Sequence, residues 1–176
     1  MPSKPPRDSR STTGKRKKQK KTIGKHRRKE ALQTPEPIPA PEVYLHQTDN
    51  GKGRGAFAAR AFRAGDVVEI CPVIVLTRPY RSLPRALQTV VFDWGALTRR
   101  ARGSAVALGH GSLYNHADPA NMTTSAWLEG RCLIFSAARD IRRGEELTIN
   151  YNARGGGHTT SAGNWWFRRL NIEPIE

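Results

Sequence analysis

The sequence is poor in the residue types that settle a function at a glance. It has only two cysteines, Cys71 and Cys132, far apart and with no C-x-x-C pair. That argues against a disulfide framework and a cysteine-built zinc site, and it fits a reducing compartment. No apolar run approaches the ~18 residues of a membrane span, so no membrane insertion is expected. No apolar leader follows the first residues, so secretion is not expected. These absences predict a cytoplasmic protein. Acidic residues are also scarce, 15 Asp/Glu against 30 Lys/Arg, for a net charge of +15. The excess is uneven. Residues 1–40 hold 13 Lys/Arg and 3 Asp/Glu, a net +10, whereas the other residues hold 17 and 12, a net +5.

What is present divides the chain. Residues 1–41 have almost no large apolar side chains and cannot bury enough surface to offset the entropy of ordering, so this segment reads as a disordered tail. Its end, PEPIPAPE at 35–42, reads as an extended, semi-rigid linker. The run KRKKQKKTIGKHRRKE at 15–30 is of the kind that neutralises phosphates. It reads as a nucleic-acid contact with nucleoid association, as a flexible lysine-rich self-substrate, or as a solubilising arm.

A folded domain begins near Glu42, and strand signals dominate it. Strands are predicted over Val43–His46, Phe57–Phe62 and Val67–Leu76, the last broken in two by Pro72. Ser82–Thr89 predicts a short helix from Pro84. Val90–Trp94 reads as strand and Thr98–Ser104 as loop. Thr123–Leu128 and Arg131–Ala137 read as a hairpin around Glu129–Gly130. Glu146–Tyr151 reads as strand, residues 153–163 as a flexible loop, and NWWFRRLNI as a terminal aromatic segment. The predicted class is mostly β, built of several small sheets with little helix.

Four stretches could carry chemistry. GKGRGAFA at 51–58 satisfies a loose dinucleotide fingerprint, with Glu69 as a ribose-binding acid, but that needs a following helix and a parallel sheet. It also reads as a glycine hairpin turn, or as a backbone nest against a small anionic or zwitterionic ligand. GSLYNHADPANM at 111–122 offers ligand-type residues in no established metal spacing. It equally reads as an Asx-rich turn with Tyr114 in the core, or as an Asn-His pair facing an adenine and an amino group. GEELTINY at 144–151 has adjacent acids, Glu145 and Glu146, which a strand sends to opposite faces, so both read as a solvated strand entry. Tyr151 ends that strand, where a phenol can face a pocket. Trp165-Trp166-Phe167 reads as a plug completing the core or as a stack on a ligand ring.

The order of these four elements resembles that of SET-domain methyltransferases over about residues 42–172. SLYNHADPANM resembles the family's N-H-S-x-x-P-N element, and RDIRRGEELTINY resembles its closing motif. VFDWG and ALGHGSLYNH look like the small stand-alone bacterial members. The resemblance implies a SET domain over 42–152, with 153–176 completing the cofactor site. It implies a pseudoknot in which the segment around Asn115–Asn121 threads beside a loop of the closing motif. It further implies an S-adenosylmethionine-dependent protein-lysine methyltransferase, with a protein substrate presenting an exposed lysine. Lys52, Gly53, Arg54 and Gly55 would line the cofactor's methionine end. Tyr114, Asn115 and His116 would contact it further along, and Trp166 or Phe167 would cover its adenine. Tyr151 would be catalytic, and Ile149 would line the substrate channel where relatives carry Phe or Tyr. Ala117 and Pro119 depart from the usual motif. A monomer or weak dimer is expected. The competing expectation is a catalytically silent SET module whose tail makes it a nucleic-acid-binding or scaffold protein.

Overall fold

The computed structural model describes residues 37–100 and 102–175. The expected disorder of residues 1–41 falls outside that range except for 37–41, which form no helix or strand. Among the described residues, nine strands and three short α-helices follow, besides three single 3-10 turns: β1 Val43–Gln47, β2 Arg54–Ala58, β3 Val67–Leu76, α1 Arg85–Gln88, β4 Val91–Asp93, α2 Trp94–Thr98, β5 Ser104–Ala107, β6 Asn115–His116, β7 Met122–Trp127, β8 Cys132–Ala137, β9 Glu146–Ile149 and α3 Trp165–Leu170. The mostly-β expectation holds.

The strands form two sheets. One has the order β1-β2-β9-β6 and the other β4-β5-β3-β8-β7. β1 and β2 form an antiparallel hairpin in which Val43 faces Ala58 and Gln47 faces Arg54. Gly51 and Gly53 turn the chain there, both at φ +81, a conformation that side chains with a Cβ resist. The β7–β8 hairpin runs from Met122 opposite Ala137 to Trp127 opposite Cys132. Gly130 in its turn leaves no room for a Cβ, which would lie 2.3 Å from the Trp127 ring.

β3 is the spine of the five-stranded sheet. Pro72 does not break it as expected. The first half pairs with β8 and the second with β5. Pro72 sits at the changeover: it faces Cys132, and its carbonyl accepts from the Leu108 N–H at 2.8 Å. The proline lacks a donor where the strand exchanges partners, so little of the ladder is lost. Other strands end earlier than expected: β9 stops at Ile149 and β7 at Trp127, so Tyr151 lies beyond its strand. β2 stops at Ala58, and Phe62 makes only an isolated bridge to Ile141. β4 stops at Asp93, whose carboxylate accepts from the Ala96 N–H at 2.9 Å and caps α2. β5 begins at the end of the predicted loop and α3 replaces the terminal aromatic segment. In α3, Phe167 and Leu170 are buried at an i, i+3 spacing, the helical signature.

The core sits between the sheets. Trp94, Tyr114, Met122, Leu133, Phe135, Ile141 and Leu147 are almost wholly buried. Burial of each such apolar side chain contributes about 1.5–3 kcal/mol. One buried acid interrupts them. The Glu69 carboxylate accepts from the Tyr114 hydroxyl at 2.6 Å and from the His110 N–H at 2.9 Å.

β6 pairs with β9 in parallel, Asn115 facing Thr148 and His116 facing Ile149. Beyond it, the Ala120 N–H donates to the Thr159 carbonyl at 2.9 Å, and the Asn150 amide donates to the same carbonyl at 3.1 Å. The segment 115–121 is thus held between β9 and the loop that follows β9, which is the threading expected of a pseudoknot.

Candidate active site

Tyr151 leaves β9 one residue beyond Asn150, next to the β6 segment. The Tyr151 N–H donates to His116 Nδ1 at 3.1 Å, and the Tyr151 hydroxyl donates to the Tyr114 carbonyl at 2.6 Å. The ring packs on His116, Trp166 and Phe167, with centroids 5.4, 4.7 and 6.1 Å away. Burial pushes the phenol well above its ordinary pKa, and the negative charge of Glu146 adds to that. The group is therefore a neutral hydroxyl whose proton points to a carbonyl. Its oxygen lone pairs are left for an incoming donor.

The glycine loop meets the same segment. Lys52 Nζ donates to the His116 carbonyl at 3.1 Å. Asn115 Nδ2 donates to the Arg54 carbonyl at 3.2 Å and to Glu146 Oε1 at 2.8 Å. Gly55 permits this closeness, since a Cβ there would lie 2.4 Å from Glu146 Oε1. No atom lies within 4 Å of where a Cβ would project at Gly53, so the loop is open on that side. Phe167 lies edge-on to His116 at 4.8 Å.

Tyr151 also lines a cleft of about 370 Å³, whose walls include none of Lys52, Arg54, Gly55, Asn115, His116 and Phe167. Tyr80, Asp93, Gly103, Ile149 and Trp166 are among its walls. Ile149 is 3% exposed and forms part of the floor.

Most of the expected site residues therefore converge. Lys52, Arg54, Gly55, Asn115, His116 and Phe167 are brought together around β6, and Ile149 and Trp166 line the cleft. Tyr114 reaches Tyr151 through its carbonyl, because its phenol is committed to Glu69 in the core. The dinucleotide reading fails: strand β2 follows the glycines, its pairing is antiparallel, and Glu69 is buried. Glu145 and Glu146 are not a solvated strand entry either. Parallel pairing draws segment 115–121 alongside them, and Glu145 accepts from Asn121 Nδ2 at 3.2 Å while Glu146 accepts from Asn115.

Two positioning residues escaped the sequence reading. Asn150 is fully buried, and its carboxamide oxygen accepts from the Asn152 and Ala153 N–H groups at 2.8 and 3.2 Å. Asn152 accepts from the Trp166 N–H at 3.1 Å through its side chain and from Trp165 Nε1 through its carbonyl. Together they set the exit from β9 and dock α3 beside Tyr151. The available signal was an asparagine on either side of Tyr151, where a strand would be expected to continue with apolar residues.

Comparison with known proteins agrees with this arrangement. The SET-domain family matches residues 53–152. A histone-lysine N-methyltransferase of Schizosaccharomyces pombe, specific for H3 lysine-37, is 28% identical over 100 residues, which span 57% of this chain and 67% of the relative. The crystal structure of a candidate histone methyltransferase of Plasmodium falciparum superposes with a TM-score of 0.56 at 22% identity, covering 73% of this chain and 99% of the other, and shares its fold. With Asn115-His116 paired to β9, Tyr151 just past the end of β9, the glycine loop touching both segments, and a family match across more than half its length, the chain belongs to the SET-domain family.

Proposed function

We propose that the protein is an S-adenosylmethionine-dependent protein-lysine N-methyltransferase. The observation that carries this reading is the Tyr151 hydroxyl, held on the Tyr114 carbonyl where Tyr151 both lines the cleft and bonds to His116.

The residues present fit that cofactor. Lys52 and the open Gly53 backbone suit a carboxylate. Glu146 and the Asn115 carboxamide suit an ammonium group. The ring of Phe167, resting on His116, supplies an apolar face for an adenine. When bound, the cofactor supplies a methyl group activated on a sulfonium.

The chain's own residues act on the amine. A lysine ammonium has an ordinary pKa of about 10.4, so almost none is neutral at neutral pH. The apolar walls given by Ile149 and Trp166 disfavour the charged form. The Tyr151 oxygen accepts from the amine and holds it in line, and such prior alignment can contribute several kcal/mol. Burial raises the Tyr151 pKa, which suits a hydrogen-bonding, orienting role better than that of the base. Deprotonation therefore goes through solvent.

The test is calorimetric titration with the cofactor, followed by mass spectrometry for methyl-sized increments on candidate proteins. Binding without transfer to any lysine would favour the silent-module reading. For residues 15–30, outside the described residues, a nucleic-acid role rests on charge alone, and the salt dependence of DNA binding with and without the tail tests it.

A further inference from the structure

Most of the cleft's walls come from two segments, 77–104 and 153–172, with residues 111–114 and 149–151 completing it, and the charge of those two segments is unlike that of the rest of the folded region. They hold nine arginines, no lysine and a single acid, Asp93. The remainder of the chain beyond residue 40 holds eight Lys/Arg and eleven Asp/Glu. Arg78, Arg102 and Arg169 lie on the cleft itself and are exposed. Arg169 is braced over the Tyr80 ring at 3.7 Å, and Arg85 donates to the Leu170 carbonyl. Among the described residues, the arginines that pair with carboxylates are Arg60 and Arg139, both outside these segments. Asp93 also lines the cleft, but its carboxylate accepts from the Ala96 N–H and forms no ion pair with any of the nine among the described residues.

Granting the function proposed above, we infer that this cleft takes an acidic protein segment, a lysine flanked by Asp or Glu. A guanidinium is a fixed fork that matches a carboxylate with two donors. Unpaired forks around an entrance attract carboxylates and repel a lysine with basic neighbours. The acceptor lysine must itself travel past them, and flanking acids offset that repulsion. A cleft of about 370 Å³ admits a side chain and its neighbours, not a nucleic-acid duplex. Peptide carboxylates are therefore the complement, rather than backbone phosphates.

The experiment uses the full chain with cofactor and three peptides around one central lysine, with acidic, neutral or basic flanks. A peptide of the chain's own residues 15–30 serves as a second basic member. Binding is read by fluorescence anisotropy at low and high salt, and transfer by mass spectrometry. The acidic peptide is expected to bind at least about tenfold tighter than the basic ones at low salt, with the gap narrowing as screening increases. Arg102→Glu and Arg169→Glu should each shrink the gap severalfold, while Arg143→Glu, in the turn before β9, should leave it unchanged. Circular dichroism melts confirm that the variants fold. Equal or tighter binding of the basic peptides would overturn the inference. So would competition by a single-stranded oligonucleotide with no discrimination among the peptides. Absence of transfer to any peptide, with the acidic preference intact, would instead sink the enzymatic reading and leave the charge preference standing.

Discussion

Replacing Tyr151 by phenylalanine removes one oxygen and keeps the ring on His116, Trp166 and Phe167. The structural loss is the 2.6 Å hydrogen bond to the Tyr114 carbonyl. An acceptor left unpaired in a partly buried site costs about 1–3 kcal/mol. For a domain of this size that lowers Tm by roughly 2–4 °C per kcal/mol. The catalytic loss should be larger. A prepositioned polar group acting on the reacting atoms is worth about 10²–10³ in rate. Lys52, Asn115 and His116 keep their contacts, so cofactor affinity should fall less than about threefold, which is under 1 kcal/mol. The assay pairs single-turnover methyl transfer with calorimetric cofactor titration on the same preparation. Equal losses in turnover and cofactor affinity would refute the assignment, since the hydroxyl would then be a structural or binding group. Unchanged turnover would refute it more directly.

Glu69→Ala leaves the Tyr114 hydroxyl and the His110 N–H without their acceptor, and urea unfolding should register a loss of about 1–3 kcal/mol for each donor that stays buried. Asn152→Ala frees the start of α3, so amide exchange should accelerate across Trp165–Leu170 and cofactor affinity should drop severalfold, with Tm changing by only a few degrees. Ile149→Phe crowds the floor beside Gly156, which should destabilise by about 1–3 kcal/mol and lower the number of methyl groups added per lysine, read by mass spectrometry. Acid should also destabilise the fold. Burial raises the Glu145 pKa, but the Arg139 guanidinium, the Arg142 N–H and the Asn121 amide outweigh it, so it lies below the ordinary 4.5. The Arg63 N–H, helped by Arg60, holds Asp66 below its ordinary 3.8. Both groups favour the fold fully above about pH 4.5, and that help is lost as pH falls through their lowered values. A pH-dependent melt that stays flat from pH 5 to 2 would contradict this.

Strand identity was legible wherever apolar side chains run in a short β-branched stretch, as in VVEICPVIVL, and wherever Gly marks a turn, as at Gly51, Gly53 and Gly130. Motif order was legible as well, but through its resemblance to the SET-domain family, carried by SLYNHADPANM and RDIRRGEELTINY, since each motif taken alone left several readings open. Helices α2 and α3 were not, because a helix of five or six residues shows barely one and a half turns of periodicity. Pro72 misled for a different reason: a missing N–H breaks a strand only if a partner needs it, and the change from β8 to β5 is a tertiary fact. The sequence alone determined which chemical groups are available, that the first forty residues carry most of the net positive charge, and that the residues after them are rich in β-forming stretches. Tertiary structure decided which groups meet. Parallel pairing of β6 with β9 joins residues more than thirty positions apart, turns the Tyr151 proton toward the Tyr114 carbonyl, and ties Glu146 to Asn115. No local pattern encodes such contacts, because their free energy comes from burying distant segments against each other.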